Sequence, residues 1–301
     1  MGETKLYGTV IGSCLTWSAI MIIGTNLSAT GPFTALTVGL AAASALFLPL
    51  ARRRDGDLMD GRLMITGVVL GVLLGAVGLG CQLAALKLIS PLWVTGVVFC
   101  APLMAAVFFN DQVKGEAQAA LMVGFMGLVA MTGGAELTAG QIGGLTLSGL
   151  GGLSLAFGLH YFQTRGQSQP RSGLTFWAAV GATIFLIPAA LCESATLAEW
   201  SLGHLAAAIS LGVAAVLGSA AWLRLTQSEN AEGSVLGLAL APIIGLMMLA
   251  ALMGLNLKGW DMTGIILVGL GLLMAGRERI KTAEVKAPRA AGVETLSRES
   301  A

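Results

Sequence analysis

The side chains with the most to offer chemically are few, and they lie inside long apolar runs. Trp17 and Phe157 stand 140 positions apart, and so do Gln82 and Trp222. An indole N–H or a primary amide surrounded by hydrocarbon has no water to bond, so it must find its partner in the protein or in a bound solute. Aromatic faces can also stack on such a solute. These four residues are therefore candidates for binding a substrate, and Thr95 joins them as a hydroxyl in another apolar run, with Cys100 nearby. His160 lies one turn after Phe157, also within an apolar run. Imidazole is the side chain best suited to carry a proton near neutral pH, so His160 is both a substrate-site and a proton-coupling candidate. A hydrogen-bonded histidine beside Tyr161 and Gln163 is the plainer alternative. Pro102 and Pro242, again 140 apart, each remove a backbone donor from a helix and are candidate hinges or bends.

The acids exclude as much as these residues include. Asp111, Glu136, Glu193, Glu229 and Asp261 fall at the ends of apolar runs, and none falls near a centre. That argues against a buried carboxylate as proton carrier and against a strongly cationic substrate. A small neutral, zwitterionic or hydrophobic molecule fits better. Lys87, at the end of a run, either snorkels outward or attracts an anionic group. Cys14, Cys81, Cys100 and Cys192 have neither zinc-site nor disulfide-framework spacing. With no metal cluster, no nucleophile–base pair and no nucleotide-binding loop, an enzyme is not expected, and neither is a cofactor.

The elements that must position these residues follow from composition. Of 301 residues, 55% are hydrophobic and 11% charged, where soluble domains carry about a quarter charged. Mean hydropathy is +0.82. The 42 glycines are scattered through the apolar runs, as suits helices that approach closely in lipid. A net charge of +1 gives no basic surface to suggest nucleic acid. A helix needs about 20 apolar residues to span a bilayer, and the chain offers ten such stretches: 6–27, 31–50, 63–85, 91–109, 116–134, 143–163, 172–192, 204–225, 233–253 and 260–277. The first is too long for a signal sequence and is expected to be retained. With the N-terminus inside, only Lys87 and Lys258 of the 17 Lys and Arg residues fall outside. The positive-inside rule then predicts a multi-pass inner (cytoplasmic) membrane protein with both termini cytoplasmic. Residues 278–301 read as a disordered cytoplasmic tail.

The chain also repeats itself. A shift of 140 aligns Trp17 with Phe157, Gly78 with Gly218 and Ala101-Pro102 with Ala241-Pro242; a shift of 144 aligns Lys114-Gly115 with Lys258-Gly259. This predicts an all-α integral membrane fold of two repeats, 1–138 and 139–277, each of five helices. Five is odd, so the second repeat enters the membrane from the opposite side. Inverted-topology repeats belong to transporters that work by alternating access.

Short motifs carry a family resemblance. Leu15-Thr16-Trp17-Ser18 resembles the Leu-Trp-Gly/Ala of EamA-type members of the drug/metabolite transporter superfamily. Ala84-Ala85-Leu86-Lys87 is similar to their Tyr-Ala-Leu-Lys, and Ala101-Pro102-Leu103 to their Ser-Pro-Leu. Asn110-Asp111-Gln112 stands where Gly-Glu-Arg is common, followed by Gly124 and Gly127. Ala241-Pro242-Ile243 and Gly264 repeat the pattern, but Gly254-Leu255-Asn256 has Leu255 in place of the family's Glu. The resemblance implies a secondary transporter, with export the commoner direction. It implies a small-molecule substrate, the lipid bilayer as solvent, protons or a counter-substrate as the coupled species, and a monomer or homodimer. A non-transporting membrane sensor or assembly component is the alternative; it would carry an extended soluble domain or a rich intramembrane helix-contact face, and the chain has neither beyond the short tail.

Overall fold

The computed structural model describes residues 3–55, 57–109, 114–133, 136–193, 200–226 and 243–275. All regular structure among them is helical. In hydrocarbon this is what the backbone requires, because a helix satisfies its N–H and C=O groups within one segment. In chain order the helices are α1 (Glu3–Leu27), α2 (Pro32–Asp55), α3 (Gly61–Ala85), α4 (Pro91–Phe109), α5 (Lys114–Met131), α6 (Ala139–Gly166), α7 (Arg171–Leu191), α8 (Leu202–Thr226), α9 (Ile243–Met253) and α10 (Gly259–Ala275). Seven of them, α1–α4 and α6–α8, are long and apolar enough to cross a membrane, and α5, α9 and α10 contain shorter apolar segments.

The breaks have local causes. Ser90 caps α4 by accepting from Leu92 N, with Pro91 at the first helical position, where the missing N–H costs nothing. Thr138 and Gln141 form a reciprocal capping box at the start of α6. Asp60 caps α3. Within α3, Gly71–Leu79 widens to a π-helix. α4 is interrupted at Cys100, whose N–H bonds to Val97 rather than one residue further back. Pro102 follows in the first turn of the next segment, Ala101–Phe109, where its missing N–H falls among the unpaired donors of a helix start. Pro242 and the tail lie outside the described residues.

The centre of the bundle is the pair α2 and α7, with α8 packed on α2 and α3 on α7; α1 lies on α8, α6 on α3, and α4 on α6. Small residues let the backbones touch. A Cβ at Gly212 would lie 2.0 Å from the carbonyl of Gly39, and one at Gly71 would lie 2.0 Å from the carbonyl of Ala178. Gly127 faces Gly264 and Gly271 faces Ala120, which brings α5 against α10. Packing of this kind replaces the hydrophobic drive that lipid cannot supply.

Two carboxylates tie α2 to α7 at opposite ends. Glu193, just past the end of α7, accepts from Phe33 N at 3.1 Å, Thr34 N at 2.7 Å and Thr34 Oγ1 at 2.8 Å. It thereby caps the start of α2. At the far end Asp55, the last residue of α2, accepts from Gly173 N and caps the start of α7. Each acid meets the unpaired N–H groups and the positive dipole of its neighbour's first turn.

Candidate functional site

Three cavities that share lining residues lie between one end of the bundle and its centre. The widest, about 610 Å³, opens at the end carrying Arg54 of α2 and Arg171 of α7, with Thr16, Phe47, Phe162 and Thr175 also on its wall. Leu174, Thr175, Ala220 and Leu223 continue it into a cleft of about 40 Å³. Leu74, Ser219 and Leu223 then connect that cleft to a space of about 20 Å³ beneath Trp17 and Trp222, room for roughly one water. The cavities thus narrow from the basic end to the tryptophans.

An aromatic cluster forms the shut end. The rings of Trp17 and Trp222 meet edge-on, 6.2 Å apart at 74°, and Trp222 lies 6.2 Å from Phe99. The three come from α1, α8 and α4. Trp17 is 5% exposed, and its buried Nε1 has no hydrogen-bond partner among the described residues. A buried indole N–H without an acceptor is costly, and here it belongs to a ring on the cavity wall. Next to it Ser18 Oγ donates to Gly245 O at 3.1 Å, which fixes α1 against α9.

The other candidates from the sequence lie elsewhere. Gln82 is 0% exposed, and neither its Oε1 nor its Nε2 has a partner among the described residues. It packs where α3 meets Gly151 of α6 and lines none of the three cavities. Phe157 is 45% exposed and meets Phe109 edge-on at 4.9 Å, while His160 stacks on Phe109 at 4.2 Å. Leu155 and Leu159 of the same helix face the cavity. At about 100° per residue that turns Phe157 to the opposite side. The structure therefore joins Trp17 with Trp222 and leaves Phe157, His160 and Gln82 apart from them. Thr95 is buried, and its hydroxyl donates to Pro91 O at 2.7 Å. Cys100 is buried and Lys87 is exposed. Asp111 and Glu229 lie outside the described residues, and Asp261 caps α10 by accepting from Lys258 N.

Sequence reasoning missed Ser219, Arg54 and Arg171 as lining residues. Ser219 was legible as the residue one turn before Trp222 on the same face. The arginines read only as orientation signals.

No protein-family profile matches the chain, and no curated protein does. Among solved structures, one described as "Crystal structure of protein" superposes with a TM-score of 0.64 at 17% identity, over 91% of this chain and 99% of that one. At that identity the likeness speaks for the fold alone. The chain is an all-α protein with seven described helices able to cross a membrane, in a fold shared with a solved structure.

Proposed function

We propose that the chain is a secondary transporter that exports a small neutral, zwitterionic or hydrophobic metabolite by alternating access. In this reading ten helices span the inner membrane as two inverted five-helix repeats, 1–138 and 139–277, with both termini cytoplasmic. The basic end of the bundle is then the cytoplasmic end, and the cavity path is an inward-facing entrance.

The observation that carries the reading is the Trp17 N–H, unpaired among the described residues, on the wall of a small cavity that shares lining residues, by way of a second cleft, with the wide cavity at the basic end. Contacts that exchange under the repeat register support the two halves. Gly127–Gly264 becomes Gly271–Ala120 under a shift of 144. Gly39–Gly212 becomes Ala178–Gly71 within one residue of 140. The Asp55 cap on Gly173 becomes the Glu193 cap on Phe33 and Thr34 within two residues. Pro49 of α2 and Pro188 of α7 also stand 139 apart. A two-fold axis in the membrane plane produces exchanges of this kind. The motif resemblance to EamA-type transporters points the same way. His160 lies off the cavity, so proton coupling through it is not part of the reading.

Reconstitution into liposomes with a panel of amino acids and drugs tests the proposal. Flux or exchange of at least one solute is expected, and no flux under any gradient would contradict it. For a transported solute, Trp17→Phe keeps a ring but removes the N–H. The apparent KM is expected to rise about tenfold, the worth of a buried hydrogen bond, while the melting temperature holds or rises because an unpaired donor has gone. A fall in melting temperature with unchanged KM would make Trp17 a packing residue only.

A further inference from the structure

The wide cavity at the basic end combines two properties that the cavity beneath the tryptophans lacks. Its wall includes two arginines, Arg54 and Arg171, from two different helices, and no acid among the described residues. Among the described residues neither arginine forms an ion pair, and Asp55, the carboxylate beside Arg54, accepts from the backbone N–H of Gly173. Thr16, Ser172 and Thr175 add hydroxyls, and Phe47, Phe162 and Leu174 make the remainder apolar. Basic residues that serve only to orient the chain need not converge. Here Arg52, Arg53 and Arg165, at the same end, stay off this wall while Arg54 and Arg171 share it.

We infer that this vestibule is a binding site for an amphipathic oxyanion, a carboxylate or phosphate group joined to an apolar body. The inference rests on the transporter reading for its role as an entrance, and narrows the hydrophobic solute of that reading to one whose apolar body carries an anionic head. The oxyanion is held by the planar forks of Arg54 and Arg171, which match carboxylate and phosphate geometry. The apolar body lies along Phe47, Phe162 and Leu174, pointing into the cleft that leads to Ser219 and Trp17. Once the charge is held at the mouth, only the apolar part has to enter the inner cavities, whose walls carry no ionised group among the described residues.

The test is calorimetric titration of the full-length protein in phosphatidylcholine nanodiscs with octanoate and with its neutral isostere octanamide. Octanoate is expected to bind at least about tenfold more tightly, as a charge-assisted pair implies. Arg54→Gln and Arg171→Gln are each expected to remove about that factor for octanoate and none for octanamide, and Arg53→Gln to change neither. Equal binding of the two probes to the unmodified protein would overturn the site, and that comparison requires no variant to fold. An effect of Arg53→Gln as large as that of Arg54→Gln would overturn it too. Nanodiscs of phosphatidylglycerol separate the sources of the oxyanion: competition with octanoate identifies a lipid headgroup, no competition a free solute, and both uphold the site. Arginine-dependent octanoate binding without flux of any solute would contradict transport and leave the site standing. Flux with arginine-independent binding would do the reverse.

Discussion

Replacing Gly212 by valine is expected to abolish the folded bundle. A Cβ at Gly212 would lie 2.0 Å from both the carbonyl carbon and the oxygen of Gly39, and one at Gly39 would lie 2.2 Å from Ala208 O and 2.8 Å from Gly212 N. These are backbone atoms on both sides, so no side chain can swing aside. Relief requires α8 to move off α2, and α2 is itself packed on α7. Overpacking costs about 1–3 kcal/mol where side chains can yield, occasionally more; a backbone clash belongs at or above about 3 kcal/mol, a large share of a protein's net stability. The contrast is Gly149→Ala in α6, where a Cβ meets nothing within 4 Å and helix propensity gains up to about 1 kcal/mol. Size-exclusion chromatography and thermal unfolding in detergent would show Gly212→Val aggregated and Gly149→Ala monodisperse and at least as stable as the parent. A monodisperse Gly212→Val with parental melting would refute the α2–α8 crossing.

The second large effect is expected from the two caps. Glu193→Ala removes three hydrogen bonds from the start of α2, and Asp55→Ala removes one from the start of α7. Bonds to charged acceptors are worth about 1.5–3 kcal/mol and an N-cap about 1 kcal/mol. Glu193→Ala is therefore expected to cost about 2–3 kcal/mol and Asp55→Ala about 1–2 kcal/mol by the same measures. Because the two sit at opposite ends of the pair, the double variant is expected to lose close to the sum. Glu193→Gln retains one acceptor oxygen and should fall between. Unchanged stability in Glu193→Ala would mean that this end of α2 is held by packing alone.

These carboxylates also show where the sequence was legible and where it was not. The apolar runs, the proline at residue 91 and the capping signals of Ser90 and Thr138 are local, and they place α1–α4 and α6–α8 close to where the hydropathy pattern put them. The meeting of Trp17 with Trp222 was within reach because the 140-residue register compares depths. That register does not report azimuth. Each residue turns the helix by about 100°, so Phe157 at the right depth faces Phe109, while Leu155 and Leu159 face the cavity. Glu193 reads in the sequence only as the end of an apolar run and Asp55 draws no attention at all, because their partners lie 160 and 118 residues away. The near-140 spacing of both acids and both partners was the available signal. Arg54 and Arg171 counted only towards orientation, since nothing local brings α2 and α7 to one wall.

The central claim is that the path beneath Trp17 and Trp222 opens alternately to the two membrane faces. Ser219 lies on that path where the cleft meets the tryptophan cavity. In a chain with Cys14, Cys81, Cys100 and Cys192 replaced by serine or alanine, Ser219→Cys can be probed with a membrane-impermeant maleimide in sealed vesicles of each orientation. The account predicts modification from both faces, with a transported solute or an imposed gradient shifting the ratio. Modification from the face of Arg54 and Arg171 alone, under every solute and gradient, would contradict it.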